Sequence, residues 1–152
     1  MLRSCRMSWN ATHALVIGNV WDQLRQEAEL AIRRCPESGS CQIRIVLNQY
    51  VLNANSLLVA VARRVSSRLS GHPDIGRENR IVDLYQRYNE WPGDLLGSLE
   101  WYTAMDLEAV HRNDPSCERF LDALLYFKGF HALQSHRLAN RMYRIGDRGR
   151  AP

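Results

Sequence analysis

The chain has 152 residues, of which 45% are hydrophobic and 24% are charged, so it can bury a core and has the composition of a globular domain. It contains no apolar run of the roughly 18 residues that a membrane-spanning helix needs, and no membrane association is expected. The formal net charge is +4, but the basic residues are spread along the chain, so we expect no nucleic-acid binding.

Apolar residues recur at helical spacing through the first half of the chain. This spacing predicts a first helix over residues 16–34 and a second over 41–52. The polar residues at 53–56 predict a break and a new N-cap, because asparagine and serine compete for backbone hydrogen bonds. A third helix is predicted over 57–69, with Gly71 closing it.

The second half continues the helical pattern. A fourth helix is predicted to end before residue 91, and Asp94 is expected to cap a fifth that extends to about Val110. Asp106 falls on the apolar stripe of this fifth helix. A buried carboxylate needs a partner, so we expect Asp106 at the edge of the stripe.

Two further helices are predicted in the segment 106–142. Asp114 followed by Pro115 indicates a helix start, with the carboxylate as N-cap and the proline at the first helical position. Gly129 interrupts the apolar pattern and separates this sixth helix from a seventh. No strand-like alternation competes, so the sequence predicts an all-α, multi-helix fold.

The residues that most often carry chemistry form no recognisable catalytic or metal motif. The four cysteines lack Cys-x-x-Cys spacing and are expected to be reduced thiols of a cytoplasmic protein. The five histidines show no metal spacing, and there is no phosphate-binding loop. The acidic residues Asp106, Glu108 and Asp114 suit helix capping and surface solvation on this basis alone.

One segment resembles a known family. Residues 123–138 are Ala-Leu-Leu-Tyr-Phe-Lys-Gly-Phe-His-Ala-Leu-Gln-Ser-His-Arg-Leu. This is similar to the serine O-acetyltransferase pattern leucine-tyrosine-x-lysine-glycine-phenylalanine-histidine-alanine-leucine-glutamine-x-x-arginine. Residues 106–110 and the Asp114-Pro115 step also match that family, and the similarity continues more weakly around Trp21 and over 57–67.

The resemblance implies an activity and a role for one residue. Serine acetyltransferases transfer an acetyl group from acetyl-CoA to the hydroxyl of L-serine, giving O-acetylserine for cysteine biosynthesis. Their N-terminal helical domain mediates assembly into a dimer of trimers and precedes a β-helix of hexapeptide repeats, which supplies the catalytic histidine and the CoA cleft. By this resemblance Asp114 contributes to the serine site, where L-cysteine binds as inhibitor, and His131 supports the fold.

The chain also departs from the family pattern. His111, Arg112 and Asn113 stand where basic residues are usual, His136 stands where an aromatic is common, and Asn140 and Arg141 replace histidine and tryptophan. We divide the chain into a disordered or variable lead (1–15), an N-terminal serine acetyltransferase-like domain (16–143) and a polar tail (144–152).

The 152 residues contain no hexapeptide repeat. We therefore expect no catalytic residue, no bound cofactor, no metal and no acetyl transfer by these residues alone, and we expect self-association. The alternative is a stand-alone helical module that co-assembles with, or modulates, a full-length acetyltransferase.

Overall fold

A computed structural model describes residues 2–35, 41–70, 75–90 and 97–146, and all the regular secondary structure in these ranges is helical. This confirms the predicted all-α fold. A π-helical turn, Asn48–Leu52, continues the second helix. Within these ranges, none of the helices combines the length and hydropathy needed to cross a membrane. The helices are α1 (Leu2–Arg33), α2 (Gln42–Leu47), α3 (Leu57–Ser70), α4 (Ile75–Arg87), α5 (Leu99–Asn113), α6 (Phe120–Tyr126) and α7 (Lys128–Ile145).

Helix α3 lies at the centre of the fold and packs against α4, α5, α6 and α7. Its first six residues, 57–62, are all apolar and all buried. A helix that is apolar around its whole circumference can be stable only when neighbours cover every face. Since burial of apolar surface is the main stabilising contribution, α3 organises the core.

Helix α1 buries one stripe of side chains against α5 and α6. Val20, Leu24 and Ala28 lie four residues apart and are almost completely buried. The predicted start at Val16 is wrong, because α1 begins at Leu2 and residues 2–15 contain no proline or glycine to interrupt it. The division between lead and domain at residue 15 remains a prediction.

The helix boundaries follow local capping signals, some of which the sequence predicted correctly. Ser56 caps α3 as expected, since its Oγ accepts a hydrogen bond from the Val59 N–H at 3.3 Å. Helix α5 instead begins after Ser98, whose Oγ accepts from the Trp101 N–H at 3.1 Å. Gly97 precedes this cap with φ of 138°, a conformation that glycine adopts without strain because it lacks a Cβ atom.

The remaining predicted boundaries can be placed only in part. The predicted caps Gly71 and Asp94 lie outside the described residues. Helix α7 extends to Ile145, two residues into the predicted tail, and Gly146 ends it with φ of 89°. Residues 147–152 also lie outside the described ranges.

Carboxylates from other helices cap the starts of α6 and α3. Glu27 of α1 accepts a hydrogen bond from the Leu121 N–H at 2.9 Å, at the start of α6. Glu100 of α5 accepts one from the Leu58 N–H at 3.0 Å, at the start of α3. The first N–H groups of a helix lack partners within it and carry partial positive charge, so these carboxylates stabilise both the helix ends and the packing between helices.

Candidate functional site

Asp114 lies in a tight turn between α5 and α6. It is the C-cap of α5, with extended backbone angles of −106° and 109°. Its Oδ1 accepts hydrogen bonds from the Ser116 N–H at 2.9 Å and from the Ser116 Oγ at 2.6 Å. The predicted N-cap role is therefore wrong: Pro115 and Ser116 form a turn, and α6 begins only at Phe120. The carboxylate stabilises the turn itself.

His111 holds this turn in place from the last turn of α5. Its Nδ1 lies 2.9 Å from the carbonyl oxygen of Cys117, so the Nδ1–H tautomer donates this hydrogen bond. The imidazole also packs edge-on against the Phe120 ring, with centroids 5.1 Å apart. The chain is thus fixed on both sides of Asp114, which restricts where the carboxylate can point.

The junction between α6 and α7 lies close to this turn. The break lies at Phe127, two residues before the predicted break at Gly129, which instead sits in the first turn of α7. Three side chains cover the last carbonyls of α6. His131 Nε2 lies 2.7 Å from the Leu124 oxygen, and the Leu125 oxygen accepts from Arg64 Nε at 3.0 Å and from Arg68 Nη2 at 3.4 Å.

The environment of His131 supports the role in the fold that the resemblance implied. The side chain is buried, and burial lowers its pKa below the usual 6.5. The neutral His131 ring donates through Nε2 to a carbonyl at the C-terminus of α6, and this hydrogen bond joins α6 to α7. His136, five residues further along α7, lies on a different face of the helix and is exposed.

The turn and the junction border a cavity of about 780 Å³ that is open to solvent. Most of its wall is apolar, and Asp114 and Lys128 contribute charge. Hydrogen bonds from Ser116 lower the pKa of Asp114, so the carboxylate is ionised at neutral pH. The lining residues are Ala109, Val110, Asn113, Asp114, Pro115, Phe127, Lys128, Gly129 and Phe130.

An ionised carboxylate beside an apolar wall suits one kind of ligand group. It can accept charge-assisted hydrogen bonds from an ammonium, which are shorter and stronger than neutral ones. Both hydrogen bonds to the Asp114 carboxylate within the described part of the chain use Oδ1. Oδ2 is therefore the atom that can accept from a ligand. Among the described residues, no group of three or more potential metal ligands exists.

The three acidic residues noted in the sequence are not brought together. Asp106 faces α7, where its carboxylate accepts from Arg137 Nε at 2.6 Å and from Gln134 Nε2 at 2.8 Å. This confirms the expected position of Asp106 at the edge of the stripe. Glu108 pairs loosely with Arg112 at 3.7 Å on the surface. Only Asp114 lines the cavity.

A second cavity, of about 250 Å³, lies between α5 and α7 and includes three of the positions expected from the sequence to depart from the family pattern. His136 and Asn140 line it and are exposed. Arg141 is buried and donates to the carbonyls of Tyr88, at 3.0 Å, and Gly97, at 2.9 Å. Arg141 thus ties α7 to both ends of the connection between α4 and α5.

Sequence reasoning missed the contribution of the α6–α7 junction to this cavity. The sequence placed Phe127 and Phe130 at apolar helix positions, and Lys128 between them in the family motif, but it assigned none of the three to a cavity wall. The junction faces the Asp114 turn because α5 packs against both α6 and α7. Pairing between helices cannot be inferred from periodicity alone.

Comparison with known proteins points to one family. The family model described as "Serine acetyltransferase, N-terminal" matches residues 20–135. The serine acetyltransferase of Escherichia coli K12 is 42% identical over 132 residues, which cover 87% of this chain and 44% of that protein. The chain therefore spans less than half the length of that relative.

Solved structures agree with this match. Serine acetyltransferase from Brucella abortus strain S19, in complex with coenzyme A, is 35% identical with a TM-score of 0.70, over 88% of this chain and 49% of that one. The Neisseria gonorrhoeae enzyme in complex with serine is 31% identical, also with a TM-score of 0.70, over 87% of this chain and 50% of that one. The match covers about half of each solved chain.

Proposed function

Because this chain belongs to the serine acetyltransferase family, as its N-terminal helical domain, we propose that it contributes the Asp114 carboxylate to an L-serine site. In the reaction we propose, the acetyl group of acetyl-CoA passes to the serine hydroxyl. The observation that carries this proposal is the position of Asp114 in the wall of the open cavity, on a turn held by Ser116 and His111.

The chemistry of Asp114 fits the ammonium group of an amino acid. Its lowered pKa keeps it anionic at neutral pH, and Oδ2 is the oxygen available to accept from the substrate ammonium. The carboxylate would fix the orientation of serine relative to the acetyl donor. Lys128, in the same cavity, offers a positive charge to the serine carboxylate.

Acetyl transfer needs further groups. A general base must accept the proton of the serine hydroxyl, and a cleft must hold CoA. The match covers about half of each solved relative, one of which is in complex with coenzyme A. We propose that these groups come from outside residues 1–152 and that the purified 152-residue chain forms no O-acetylserine from acetyl-CoA and serine. Detection of O-acetylserine above the no-protein rate would contradict this.

Self-association is the second part of the proposal. Tyr126, Tyr143 and Ile145 are between 42% and 58% exposed, and large apolar side chains left in water favour contact with other chains. We expect light scattering at micromolar concentration to give a mass above that of one chain, and a clean monomer would contradict it. If the chain instead captures a full-length acetyltransferase, the result would favour the alternative of a stand-alone helical module that co-assembles with that enzyme or modulates it.

We also propose that the protein is located in the cytoplasm, which cell fractionation can check.

The serine site is best tested in a chimaera. Residues 20–135 of this chain replace the matched segment of the Escherichia coli enzyme, and steady-state kinetics are measured with serine and with acetyl-CoA. Replacing Asp114 by Asn removes the charge but keeps the shape. Since a charge-assisted hydrogen bond contributes about 1.5–3 kcal/mol, KM for serine should rise about tenfold or more, while KM for acetyl-CoA stays unchanged.

Asp122→Asn in the same chimaera is the matched control. Asp122 pairs with Arg119 at 2.7 Å and does not line the cavity, so its loss should leave KM for serine unchanged. Equal values of KM for serine in the parent and Asp114→Asn chimaeras would contradict the proposed role of Asp114.

A further inference from the structure

Two cysteines meet where the chain leaves α1 and enters α2. Cys35 follows the end of α1, and its N–H donates to the Ile32 carbonyl at 3.0 Å. Cys41 is the N-cap of α2, and its carbonyl accepts from the Arg44 N–H at 2.9 Å. The backbone on each side of the pair is therefore anchored in a helix end.

The two side chains are in direct contact and reachable from solvent. Their Sγ atoms lie 2.6 Å apart, and both residues are free thiols of intermediate exposure. Cys117, by contrast, is buried and its Sγ lies 3.4 Å from the Arg119 carbonyl oxygen, so it offers a control within the same chain.

The surroundings also make the two thiols chemically unequal. The hydrogen bond with Cys35, together with the backbone N–H groups of Arg44 and Ile43 at the start of α2, lowers the pKa of Cys41. The same hydrogen bond raises the pKa of Cys35. A thiol at a helix N-terminus becomes a thiolate more readily, and the thiolate is the nucleophile in disulfide exchange.

From the contact, exposure and anchoring of this pair, we propose that Cys35 and Cys41 form a reversible disulfide with a low-molecular-weight disulfide as oxidant. The Cys41 thiolate attacks one sulfur of the oxidant, forms a mixed disulfide and releases one small thiolate, which takes up a proton. Cys35 then loses its proton, attacks Cys41 Sγ and releases the second small thiol. Two protein thiols and one small disulfide thus become one protein disulfide and two small thiols.

Trypsin allows a direct test, because cleavage after Arg34 and Arg44 places both cysteines in one peptide. The reduced chain is incubated with oxidised glutathione, quenched in acid, denatured, alkylated and digested. We expect the peptide 35–44 to lack both alkyl groups and to be lighter by two hydrogens, while Cys117 is alkylated. Treatment with dithiothreitol should restore alkylation at both positions. Complete alkylation of Cys35 and Cys41, or a disulfide from either one to Cys5 or Cys117, would overturn the proposal.

Single substitutions test which thiol reacts first. In Cys35→Ser, glutathione should remain on Cys41 as a mixed disulfide, because the resolving thiol is gone. In Cys41→Ser, the adduct on Cys35 should form at least about threefold more slowly than the adduct on Cys41 forms in Cys35→Ser, because only Cys41 has the backbone N–H groups of Arg44 and Ile43 to stabilise its thiolate. Equal rates, or faster reaction of Cys35, would overturn the assignment of Cys41 as the attacking thiol.

Discussion

The ion pair between α5 and α7 gives the sharpest prediction about stability. Asp106 accepts from Arg137 Nε at 2.6 Å and from Arg137 Nη2 at 2.7 Å, and Gln134 adds a third hydrogen bond at 2.8 Å. The side chains of Asp106 and Arg137 are only 12% and 29% exposed. Replacement of Asp106 by Asn would leave the guanidinium largely buried without its counter-charge.

The expected cost follows from this geometry. Removing one partner of a fully buried pair costs about 3–5 kcal/mol, and water can reach part of Arg137, so we expect a loss of about 2–3 kcal/mol in the free energy of unfolding. Urea denaturation followed by circular dichroism measures this directly. Glu108→Gln on the same helix is the control, since its pair with Arg112 is exposed and should contribute less than about 0.5 kcal/mol. Equal stability of the two variants would refute the reasoning.

Two further predictions concern buried polar groups and are checked by thermal unfolding. Tyr85 is buried and its hydroxyl has no hydrogen-bond partner within the described part of the chain, so Tyr85→Phe should leave the melting temperature unchanged or raise it. Tyr50→Phe is the contrast: it should lose about 1 kcal/mol, because the Tyr50 hydroxyl donates to Ser67 Oγ at 2.9 Å. A larger loss at Tyr85 than at Tyr50 would contradict both assignments. Burial lowers the pKa of His131 below 6.5, so its contribution to stability is complete above pH 6.5 and is lost as pH falls towards the folded-state pKa. Melting temperatures from pH 7.5 to 5 should fall less steeply in His131→Gln than in the parent, and identical slopes would count against this.

The sequence predicted the all-α fold because apolar spacing along a helix is a local property. Leu24 and Ala28 could be placed on a buried face from their positions alone. The break before α3 was predicted correctly as well, since Ser56 caps the helix through its own neighbouring residues.

The incorrect predictions involve contacts that no local pattern contains. Asp114 and Pro115 have the composition of a helix start, but His111 holds Cys117 and keeps the chain in a turn until Phe120. At the start of α6, the Leu121 N–H donates to the carboxylate of Glu27, which lies 94 positions earlier in the chain. Such a partner is chosen by tertiary packing, so neither the start of α6 nor the facing walls of the cavity could be predicted.

The pairing of Asp114 with a substrate ammonium is the central claim, and substrate analogues test it most directly. In the chimaera, kcat/KM is measured for L-serine and for 3-hydroxypropanoate, which keeps the hydroxyl and carboxylate but lacks the ammonium. If Asp114 binds the ammonium, the preference for serine over the analogue should fall about tenfold or more in Asp114→Asn, because the charge-assisted hydrogen bond exists only with serine. An unchanged preference would contradict the proposed site.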